Sequence, residues 1–366
     1  MLSSAEFMAQ RLISLDAFRG ATIALMVLVN SAGGLPEAYA PLLHAEWHGW
    51  TLTDTVFPSF LWIAGVSLAL SLSKRLAQGA SRSSMIGPIL RRGLVLYLLG
   101  LFLYLLPYFD LGTARLLGVL QRIAICYVAA SLIYLYTGVR GQITITMALL
   151  ATYWILMTTV PVPGYGTGRL DVEGNVAHYV DRVVLGNHNY AQTKTWDPEG
   201  LVSTLPAIAT ALFGVVAAQV LRLERSLTYR TALLVAIGLG LVIAGLICNT
   251  WLPINKKLWT TSFALFMAGL DYVVFAVMLL IVDAAQMHRG VRPFVILGMN
   301  AITIYMISEL GEIFLSYSKL REVFYTTLYA SWLDPKNASL LYSLTYVALM
   351  FGIAYAMHRR EWFVKV

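Results

Sequence analysis

Long apolar runs alternate with short polar stretches along the whole chain, and most of the runs are long enough to cross a lipid bilayer as helices. A membrane-spanning helix needs about 20 mainly apolar residues. On this criterion the pattern predicts ten spans, at approximately 18–36, 55–73, 91–108, 115–137, 142–161, 201–221, 230–249, 258–282, 293–309 and 339–358. We therefore expect an all-α fold, a polytopic helical bundle in the membrane, with residues 1–366 forming one transmembrane domain.

The composition supports a membrane protein and excludes an ordinary soluble domain. Of the 366 residues, 58% are hydrophobic and 12% are charged, whereas charged residues make up about 25% of a typical soluble domain. Cys126 and Cys248, the two cysteines, both fall within predicted spans, so neither a disulfide framework nor a metal site is expected. The first apolar run is long enough to span and lacks a small-residue cleavage site, so we expect no cleaved signal peptide.

The charged residues predict the orientation of the spans. If the N-terminus is cytoplasmic, most of the basic residues fall in short segments on that side, namely Arg11, Arg19, Lys74, Arg75, Arg82, Arg91, Arg92, Arg140, Arg222, Arg225, Arg230, Arg289, Arg292, Arg359, Arg360 and Lys365. This bias is the positive-inside rule, and an even number of spans then returns the C-terminus to the cytoplasm. The net charge of +7 is explained by topology, so nucleic-acid binding is not expected.

Three segments are predicted to face the opposite, extracytoplasmic side: 36–54, 162–200 and 310–338. Segment 162–200 is too long for a turn, and within it NVAHYVDRVVLG has the apolar spacing of a helix. In 310–338, YSKLREVFYTTLYASW has the pattern of an amphipathic helix lying at the membrane interface. Long loops in compact proteins are usually functional or disordered, and the aromatic content of these segments argues against disorder.

The stretch LHAEWHGWTLTDTVFP (43–58) places two histidines and two carboxylates between apolar runs. Asn30 closes the first predicted span, His44 follows in the loop and Asp54 opens the second span. Antiparallel neighbouring spans would bring these three side chains together at the outer boundary, where a histidine can act as general base and an aspartate can fix its tautomer. An amide can donate to a developing oxyanion. The alternative is a loop whose polar groups only anchor the boundary.

Several polar residues lie inside predicted spans, where insertion costs at least about 2.5 kcal/mol for arginine or aspartate. They are Gln121, Arg122, Asp271, Asn300, Ser308 and Glu309. Such residues normally face a cavity and have a partner. They predict a polar channel lined for a substrate, and the alternative is a structural ion pair of Arg122 with Asp16, Asp54 or Glu309.

These motifs together resemble the heparan-α-glucosaminide N-acetyltransferase family, lysosomal enzymes with bacterial relatives in the wider group of transmembrane acyltransferases. The stretch 11–34 is similar to the family's opening helix, which ends in an asparagine, and the stretch 44–71 is similar to its histidine loop. Matching stretches run in order along the chain: RLISLDAFRGATIALMVLVNSAGG (11–34), HAEWHGWTLTDTVFPSFLWIAGVSLALS (44–71), RLLGVLQRIAICY (115–127), WDPEGLVSTLPAI (196–208), LPINKKLWTTSF (252–263), GMNAITIYMISEL (298–310) and RREWFVKV (359–366).

The resemblance implies a membrane-embedded acyltransferase that moves an acetyl group from cytoplasmic acetyl-CoA to an amino sugar or related glycan on the extracytoplasmic side. His44, Asn30 and Asp54 match the family's active-site histidine, asparagine and aspartate, and His48 is the less favoured catalyst. We expect the acetyl-CoA to be bound by Arg19, Lys74, Arg75, Arg91, Arg92, Gln121, Arg122 and Asn300. The alternative for the basic residues on the cytoplasmic side is the positive-inside bias itself. We expect the acceptor to be bound by Trp47, Asp197, Glu199 and Glu309.

The resemblance also sets expectations for location and partners. A compact chain of this kind suggests a bacterial cytoplasmic (inner) membrane and an acceptor in the periplasm or envelope. The expected partners are acetyl-CoA, the sugar acceptor and the lipid bilayer, and a homodimer stays open. The alternative function is a transporter of an amino sugar or related solute, for which broken helices and inverted repeats would be the signature. A scaffold without chemistry would leave Arg122 and Asp271 unexplained.

Overall fold

A computed structural model describes residues 12–33, 35 and 37–364 of this chain. Arg11 and Lys365, two of the basic residues used to orient the spans, lie outside the described residues. The α-helices are Ile13–Gly33 (α1), Leu52–Ala77 (α2), Arg82–Leu105 (α3), Val119–Tyr136 (α4), Val139–Thr159 (α5), Val176–Leu185 (α6), Thr204–Leu221 (α7), Leu227–Cys248 (α8), Thr261–Met278 (α9), Arg292–Met299 (α10), Ala301–Tyr317 (α11), Leu320–Tyr325 (α12) and Pro335–Arg359 (α13).

Shorter helical turns join some of these elements. The segments Ala40–Leu42 and Gly186–His188 are 3₁₀ turns, and Leu279–Ala284 and Thr326–Ala330 are π-helical continuations of α9 and α12. The described residues contain isolated β-bridges, one of them between Gly49 and Asn255, but no β-strands.

Nine helical segments of the described chain are long and apolar enough to cross a membrane, and the bent pair α10–α11 makes a tenth if it counts as one span. This confirms the predicted all-α, polytopic membrane fold. The side of the membrane on which the termini lie remains a prediction.

Two helix boundaries differ most from those expected. Helix α3 begins at Arg82 rather than near 91 because Ser81 caps it: the Ser81 hydroxyl accepts a hydrogen bond from the Ser84 N–H at 3.2 Å. The ninth predicted span is bent by 81° between α10 and α11, and α11 then continues to Tyr317. Residues 310–317 are therefore helix rather than loop, because apolar residues continue through this stretch.

The helices expected within the outer segments are present. Helix α6 lies in 162–200, where the Asn175 side chain accepts from the His178 N–H at 2.8 Å and so caps the first turn. Helix α12 and the π-helical turn that follows lie in 310–338, with Val323, Phe324 and Leu328 exposed as an amphipathic interfacial helix requires.

The chain clusters into two compact units. The first comprises Trp47–Gly49 and Phe57–Ala276, and the second comprises the described residues of Arg11–Glu46, Trp50–Val56 and Val277–Val366. Whether they act as the single domain expected from the sequence remains a prediction.

Glycine permits a close helix crossing within each unit. In the first unit, a Cβ on Gly214 of α7 would lie 2.0 Å from the Trp62 carbonyl oxygen of α2. In the second unit, a Cβ on Gly298 of α10 would lie 2.1 Å from the Asp16 carbonyl oxygen of α1. Small residues let helix backbones touch in this way, which is how membrane helices pack without a hydrophobic driving force between them.

Candidate active site

His44 and Asp54 form a hydrogen-bonded pair in the second unit. The His44 Nδ1 lies 2.7 Å from the Asp54 Oδ1. Because a carboxylate accepts, Nδ1 carries the proton in this pair, and Nε2 is then the basic nitrogen of the ring. The Asp54 side chain is 1% exposed, whereas the His44 side chain is 49% exposed. The pair therefore joins a buried, fixed carboxylate to an imidazole that a reactant can reach.

The short sequence TLTD explains why Asp54 is fixed. Thr51 immediately precedes α2, and Asp54 is the third residue of that helix. The Thr51 N–H donates to the Asp54 Oδ2 at 3.0 Å, which is the reciprocal half of a capping box. The Ala45 N–H donates to the same oxygen at 3.1 Å, and the Thr51 hydroxyl donates to the Leu43 carbonyl at 2.6 Å. These bonds tie the histidine loop to the start of α2.

Asn30 forms a second pair, also within the second unit. It lies in the last turn of α1, and its Nδ2 donates to the Glu309 Oε1 of α11 at 2.9 Å. A turn further along α11, Glu312 lies 3.6 Å from the Arg321 guanidinium. Asn30 and Glu309 were expected site residues, whereas Glu312 and Arg321 were not. The spacing of Glu312 from Glu309, one helical turn, does indicate that both carboxylates lie on one face of α11.

Trp47 anchors an aromatic cluster in the first unit. Its indole N–H donates to the Leu170 carbonyl at 2.9 Å, and its ring meets the edges of His178 and Trp196. His178 and Trp196 stack with centroids 4.0 Å apart. The Lys257 ammonium lies 5.9 Å from the Trp47 ring centroid. Neither His178 nor Lys257 was expected to belong to the site, although both lie in stretches noted in the sequence, NVAHYVDRVVLG and LPINKKLWTTSF. Their partners come from distant parts of the chain, which the local pattern does not reveal.

Burial controls the protonation of His178. The ring Nδ1 lies 2.7 Å from the Val172 carbonyl oxygen, so this nitrogen carries the proton. Burial lowers the pKa of His178 to about 3, against a smaller opposing effect of the Val172 carbonyl. His178 is therefore neutral at physiological pH and acts as part of the wall of the cluster.

His48 lies in the same unit as Trp47 but in a different environment. The Gly49 N–H donates to the Ile254 carbonyl at 2.7 Å, and Gly49 has φ of +97°, which favours glycine. The His48 Nδ1 is 3.5 Å from the Asn255 amide nitrogen, and burial lowers the pKa of His48. This long contact holds the imidazole far more loosely than Asp54 holds His44.

Asp197 and Glu199 share one arginine. The Arg115 guanidinium donates to both oxygens of Asp197, at 2.7 Å from Nε and 2.5 Å from Nη2, and also to Glu199. The Arg115 guanidinium lies over the Tyr104 ring at 4.8 Å and the Tyr190 ring at 4.3 Å. All three charged side chains are buried. Arg115 was not among the expected site residues, although it begins both a predicted span and the matching stretch RLLGVLQRIAICY.

The two carboxylates of this cluster differ in their response to burial. Burial raises the pKa of Asp197 despite its bonds to Arg115. Burial would also raise the pKa of Glu199, but the charges of Arg115, Arg122 and Lys256 together outweigh it and hold that pKa below its usual value. Nearby Asp181 accepts from the Leu201 N–H at 2.9 Å, and burial raises the pKa of Asp181 to about 6. The arrangement fixes the segment around Pro198.

Arg122 and Asp271 each form hydrogen bonds with groups of the first unit. The Arg122 Nη2 donates to the Gly200 carbonyl at 2.9 Å and to the Ser203 hydroxyl at 2.5 Å. The guanidinium lies 5.2 Å from the Trp259 ring centroid. Asp271 accepts from the Ser59 hydroxyl at 2.5 Å. These contacts give both side chains structural partners, but the Arg122 Nε and the Asp271 Oδ2 are buried without a hydrogen-bond partner. The role of Arg122 in acetyl-CoA binding remains a prediction.

The residues expected to bind acetyl-CoA are distributed over both units. In the second unit, Arg19 donates to Asp16 at 3.0 Å, and Asn300 donates to the Trp362 carbonyl at 3.0 Å and accepts from the Val364 N–H at 3.1 Å. In the first unit, Gln121 is buried and the Arg92 guanidinium lies over the Tyr127 ring at 4.9 Å. Lys74, Arg75 and Arg91 are exposed.

The structure thus brings the predicted site residues together in separate groups. His44 pairs with Asp54, Asn30 pairs with Glu309, and Asp197 and Glu199 join through Arg115. No group of three or more His, Cys, Asp or Glu side chains among residues 12–33, 35 and 37–364 is placed to hold a metal ion.

These features define a class of protein: an integral membrane protein of α-helical spans that carries a half-exposed histidine oriented by a buried aspartate. The chain belongs to the heparan-alpha-glucosaminide N-acetyltransferase catalytic family, whose sequence model matches residues 11–245. This confirms the family expected from the sequence motifs.

Two curated relatives extend the match. The chain is 28% identical to the mouse heparan-alpha-glucosaminide N-acetyltransferase over 413 residues, which covers 98% of this chain and 61% of the mouse protein. It is 28% identical to the human protein of the same name over 411 residues, which covers 97% of this chain and 60% of the human protein. The chain therefore spans about three fifths of the length of these relatives.

Proposed function

We propose that this protein is a membrane acetyltransferase that moves an acetyl group from acetyl-CoA to the amine of an amino sugar or related glycan. The observation that carries the proposal is the His44–Asp54 pair, at 2.7 Å, in a chain of this family. The two matched relatives are named for N-acetyl transfer to a glucosaminide. A base next to an accessible surface is the group that such a transfer requires.

In the proposed reaction the His44 Nε2 removes a proton from the attacking amine. The nitrogen–carbon bond forms at the thioester carbonyl, the carbon–sulfur bond breaks, and the proton held by His44 passes to the departing thiolate to give CoA. Asp54 accepts from the His44 Nδ1–H throughout, so it holds the tautomer and stabilises the imidazolium that forms. Asp54 itself does not need to change its protonation.

Asn30 has the chemistry to stabilise the oxyanion. Its amide has two N–H bonds, and Glu309 accepts from this amide at 2.9 Å. One N–H to Glu309 orients the amide, and the other is available in principle to a developing negative charge. Glu309 carries the opposite charge to a protonated amine, so it serves the proposed function as an acceptor-binding group.

Trp47 is proposed to contact the sugar directly, whereas Asp197 and Glu199 are proposed to act indirectly. Trp47 is partly exposed and can stack on a sugar face. Asp197 and Glu199 are buried against Arg115, so their contribution is to hold the segment beside Trp196.

We further propose that acetyl-CoA arrives from the cytoplasm, that the acceptor lies on the opposite side, and that the membrane is a bacterial inner membrane.

The proposal is tested with the purified protein in lipid nanodiscs, acetyl-CoA and glucosamine, by following free thiol release and the mass of the sugar product. N-Acetylglucosamine formation that requires both substrates supports the proposal. Absence of the acetylated product with glucosamine and with glucosamine-terminated oligosaccharides would refute it. His48→Ala is the matched control for His44→Ala, because both histidines lie in one loop.

A second candidate, a solute transporter, is favoured by one observation. Helices α10 and α11 form a span bent by 81° at Asn300, and broken helices mark the substrate sites of many transporters. Here, however, Asn300 bonds to the backbone at Trp362 and Val364. Uptake of radiolabelled glucosamine into proteoliposomes without consumption of acetyl-CoA would favour the transporter.

A further inference from the structure

A cavity of about 420 Å³ opens in the first unit, at one common end of five helices. Ser73 near the end of α2, Tyr134 near the end of α4 and Gln219 near the end of α7 line it. Arg82 at the start of α3 and Gln142 in the first turn of α5 complete its wall. Its volume is within the range of small-molecule sites, and the sequence assigned this end of the helices to the cytoplasm.

The lining of this cavity is basic and rich in hydrogen-bonding groups. Arg82 and Arg222 are its charged members, and none of the described residues that line it is acidic. Three helices end here and two begin, so the partial charges of the helix ends largely cancel. The two guanidinium groups therefore decide the sign of the potential, and the cavity is suited to an anion.

Arg222 is held in place before any ligand binds. Its Nη1 donates to the Tyr134 hydroxyl and to the Gln219 Oε1, each at 3.1 Å. The Gln219 amide in turn donates to the Gln142 Oε1 at 3.3 Å. The Arg222 Nε is buried and has no hydrogen-bond partner.

The unpaired Nε–H belongs to the edge of the guanidinium that normally binds a phosphate through two parallel hydrogen bonds. A buried donor without an acceptor has lost its hydrogen bonds to water without replacement, which is unfavourable. A phosphate oxygen at this edge would remove that cost and add a charge-assisted bond. The neutral side chains of Tyr134 and Gln219 therefore hold Arg222 in position, and its Nε–H has no acceptor. A phosphate oxygen would provide that acceptor.

We propose that this cavity binds the phosphate-bearing nucleotide end of the acetyl donor, the 3′-phospho-ADP moiety of CoA, through Arg222 and Arg82. This rests on the proposed function, because it takes CoA as the donor. It places the main phosphate contacts in a preformed cavity, whereas the sequence pointed to basic residues that are exposed, such as Arg91 and Arg92. Neutral hydrogen-bonding groups, among them Ser73 and Gln142, would face the nucleoside.

The test compares CoA with pantetheine, which lacks the nucleotide, by calorimetric titration of the intact protein in nanodiscs of zwitterionic lipid. Wild type should bind CoA far more tightly than pantetheine. Arg222→Gln should lower the ratio of the two affinities at least tenfold, since a charge-assisted hydrogen bond contributes about 1.5–3 kcal/mol. Arg82→Gln should lower it several-fold. Because the readout is a ratio, a general loss of folded protein cannot mimic it.

Arg225→Gln is the matched control, because Arg225 is an exposed arginine in the turn after α7 and does not line the cavity. It should leave the ratio unchanged. The same ratio in Arg222→Gln as in wild type would overturn the proposal. Loss of CoA binding when the nanodiscs contain phosphatidylglycerol would also overturn it, by assigning the cavity to a lipid phosphate.

Two results distinguish a failure of the cavity assignment from a failure of the proposed acetyltransferase function. Arg222-dependent CoA binding without any acetyl transfer would leave the cavity assignment standing and reject the enzyme. Acetyl transfer in which Arg222→Gln raises the KM for acetyl-CoA and for S-acetyl-N-acetylcysteamine equally would reject the cavity, because the second donor has no nucleotide.

Discussion

The His44–Asp54 pair of the second unit and the Arg115–Asp197–Glu199 cluster of the first unit contain similar charged groups in opposite settings. In the pair, the carboxylate is 1% exposed but its partner is 49% exposed. In the cluster, no side chain is more than 9% exposed, and the guanidinium is enclosed by Tyr104 and Tyr190. The His44–Asp54 pair therefore presents a basic nitrogen that a reactant can reach. In the Arg115–Asp197–Glu199 cluster, every charged group is enclosed by other side chains.

The difference indicates how each region contributes. A closed buried network rigidifies its surroundings, and breaking it costs stability. In the His44–Asp54 pair, the imidazole is left partly exposed, and its basic nitrogen is therefore accessible to a reactant. Substitutions in the pair should therefore change the rate of acetyl transfer, and substitutions in the cluster should change stability first.

The largest expected effect is that of His44→Ala. Loss of the general base should lower kcat by roughly 10²-fold or more, while CoA affinity stays within about twofold, because the residue acts mainly in the transition state. Steady-state kinetics and calorimetric titration measure the two quantities. Asp54→Asn should also lower kcat, since an amide N–H facing Nδ1 favours the wrong tautomer. Wild-type turnover in His44→Ala would end this site assignment.

The next effect is on stability, through Arg115→Gln. Removing one partner of a buried ion pair costs about 3–5 kcal/mol because the remaining charges are left unpaired. We expect a clear decrease in Tm in detergent, with Arg115→Lys intermediate because lysine cannot bond both oxygens of Asp197 in the same way. The exposed pair Arg169–Asp171, at 2.7 Å, is the control: Arg169→Gln should cost less than about 1 kcal/mol. Equal effects of Arg115→Gln and Arg169→Gln would contradict the comparison.

A smaller, pH-dependent effect is expected from His178. Its pKa is about 3 in the folded protein and about 6.5 in an unfolded chain. Between these values the unfolded state binds the proton and the folded state does not, so stability is lost as pH falls below 6.5. The loss should reach about 2 kcal/mol by pH 5.

His178→Gln provides the measurement. Glutamine can still donate to the Val172 carbonyl but does not titrate, so the difference in Tm between wild type and variant should change between pH 7 and pH 5. Asp181, whose pKa of about 6 lies above its unfolded value, contributes the opposite trend between about pH 6 and pH 4. That contribution is present in both proteins and cancels. Parallel pH curves would show that His178 is accessible to protons in the folded state.

The smallest effect is expected from His48→Ala. The His48 contact with Asn255 is 3.5 Å long, and among the described residues no carboxylate forms a hydrogen bond with the His48 ring as Asp54 does with His44. The acetyl-transfer rate should change by less than about threefold, within the range expected for an ordinary loop substitution. A loss as large as that of His44→Ala would mean that the loop as a whole, rather than the His44–Asp54 pair, sets the rate.

The sequence alone determined the membrane class, the approximate spans and the family. These depend on apolar length and on local motifs, both of which are read along the chain. The capping pattern TLTD also lies within four residues. The hydrogen bond between Thr51 and Asp54 can therefore be predicted from the local sequence alone. His44 and Asp54 are ten positions apart, close enough for one loop to predict their pairing.

The tertiary structure decided which partner each remaining polar group takes. Asn30 meets Glu309 across 279 positions, and Arg115 meets Asp197 across 82. Arg222, Tyr134 and Gln142 come from three separate helices, so no motif marks the cavity wall. A charge buried in a helical bundle must find a partner, but several partners are equally compatible with the sequence, and helix packing selects among them.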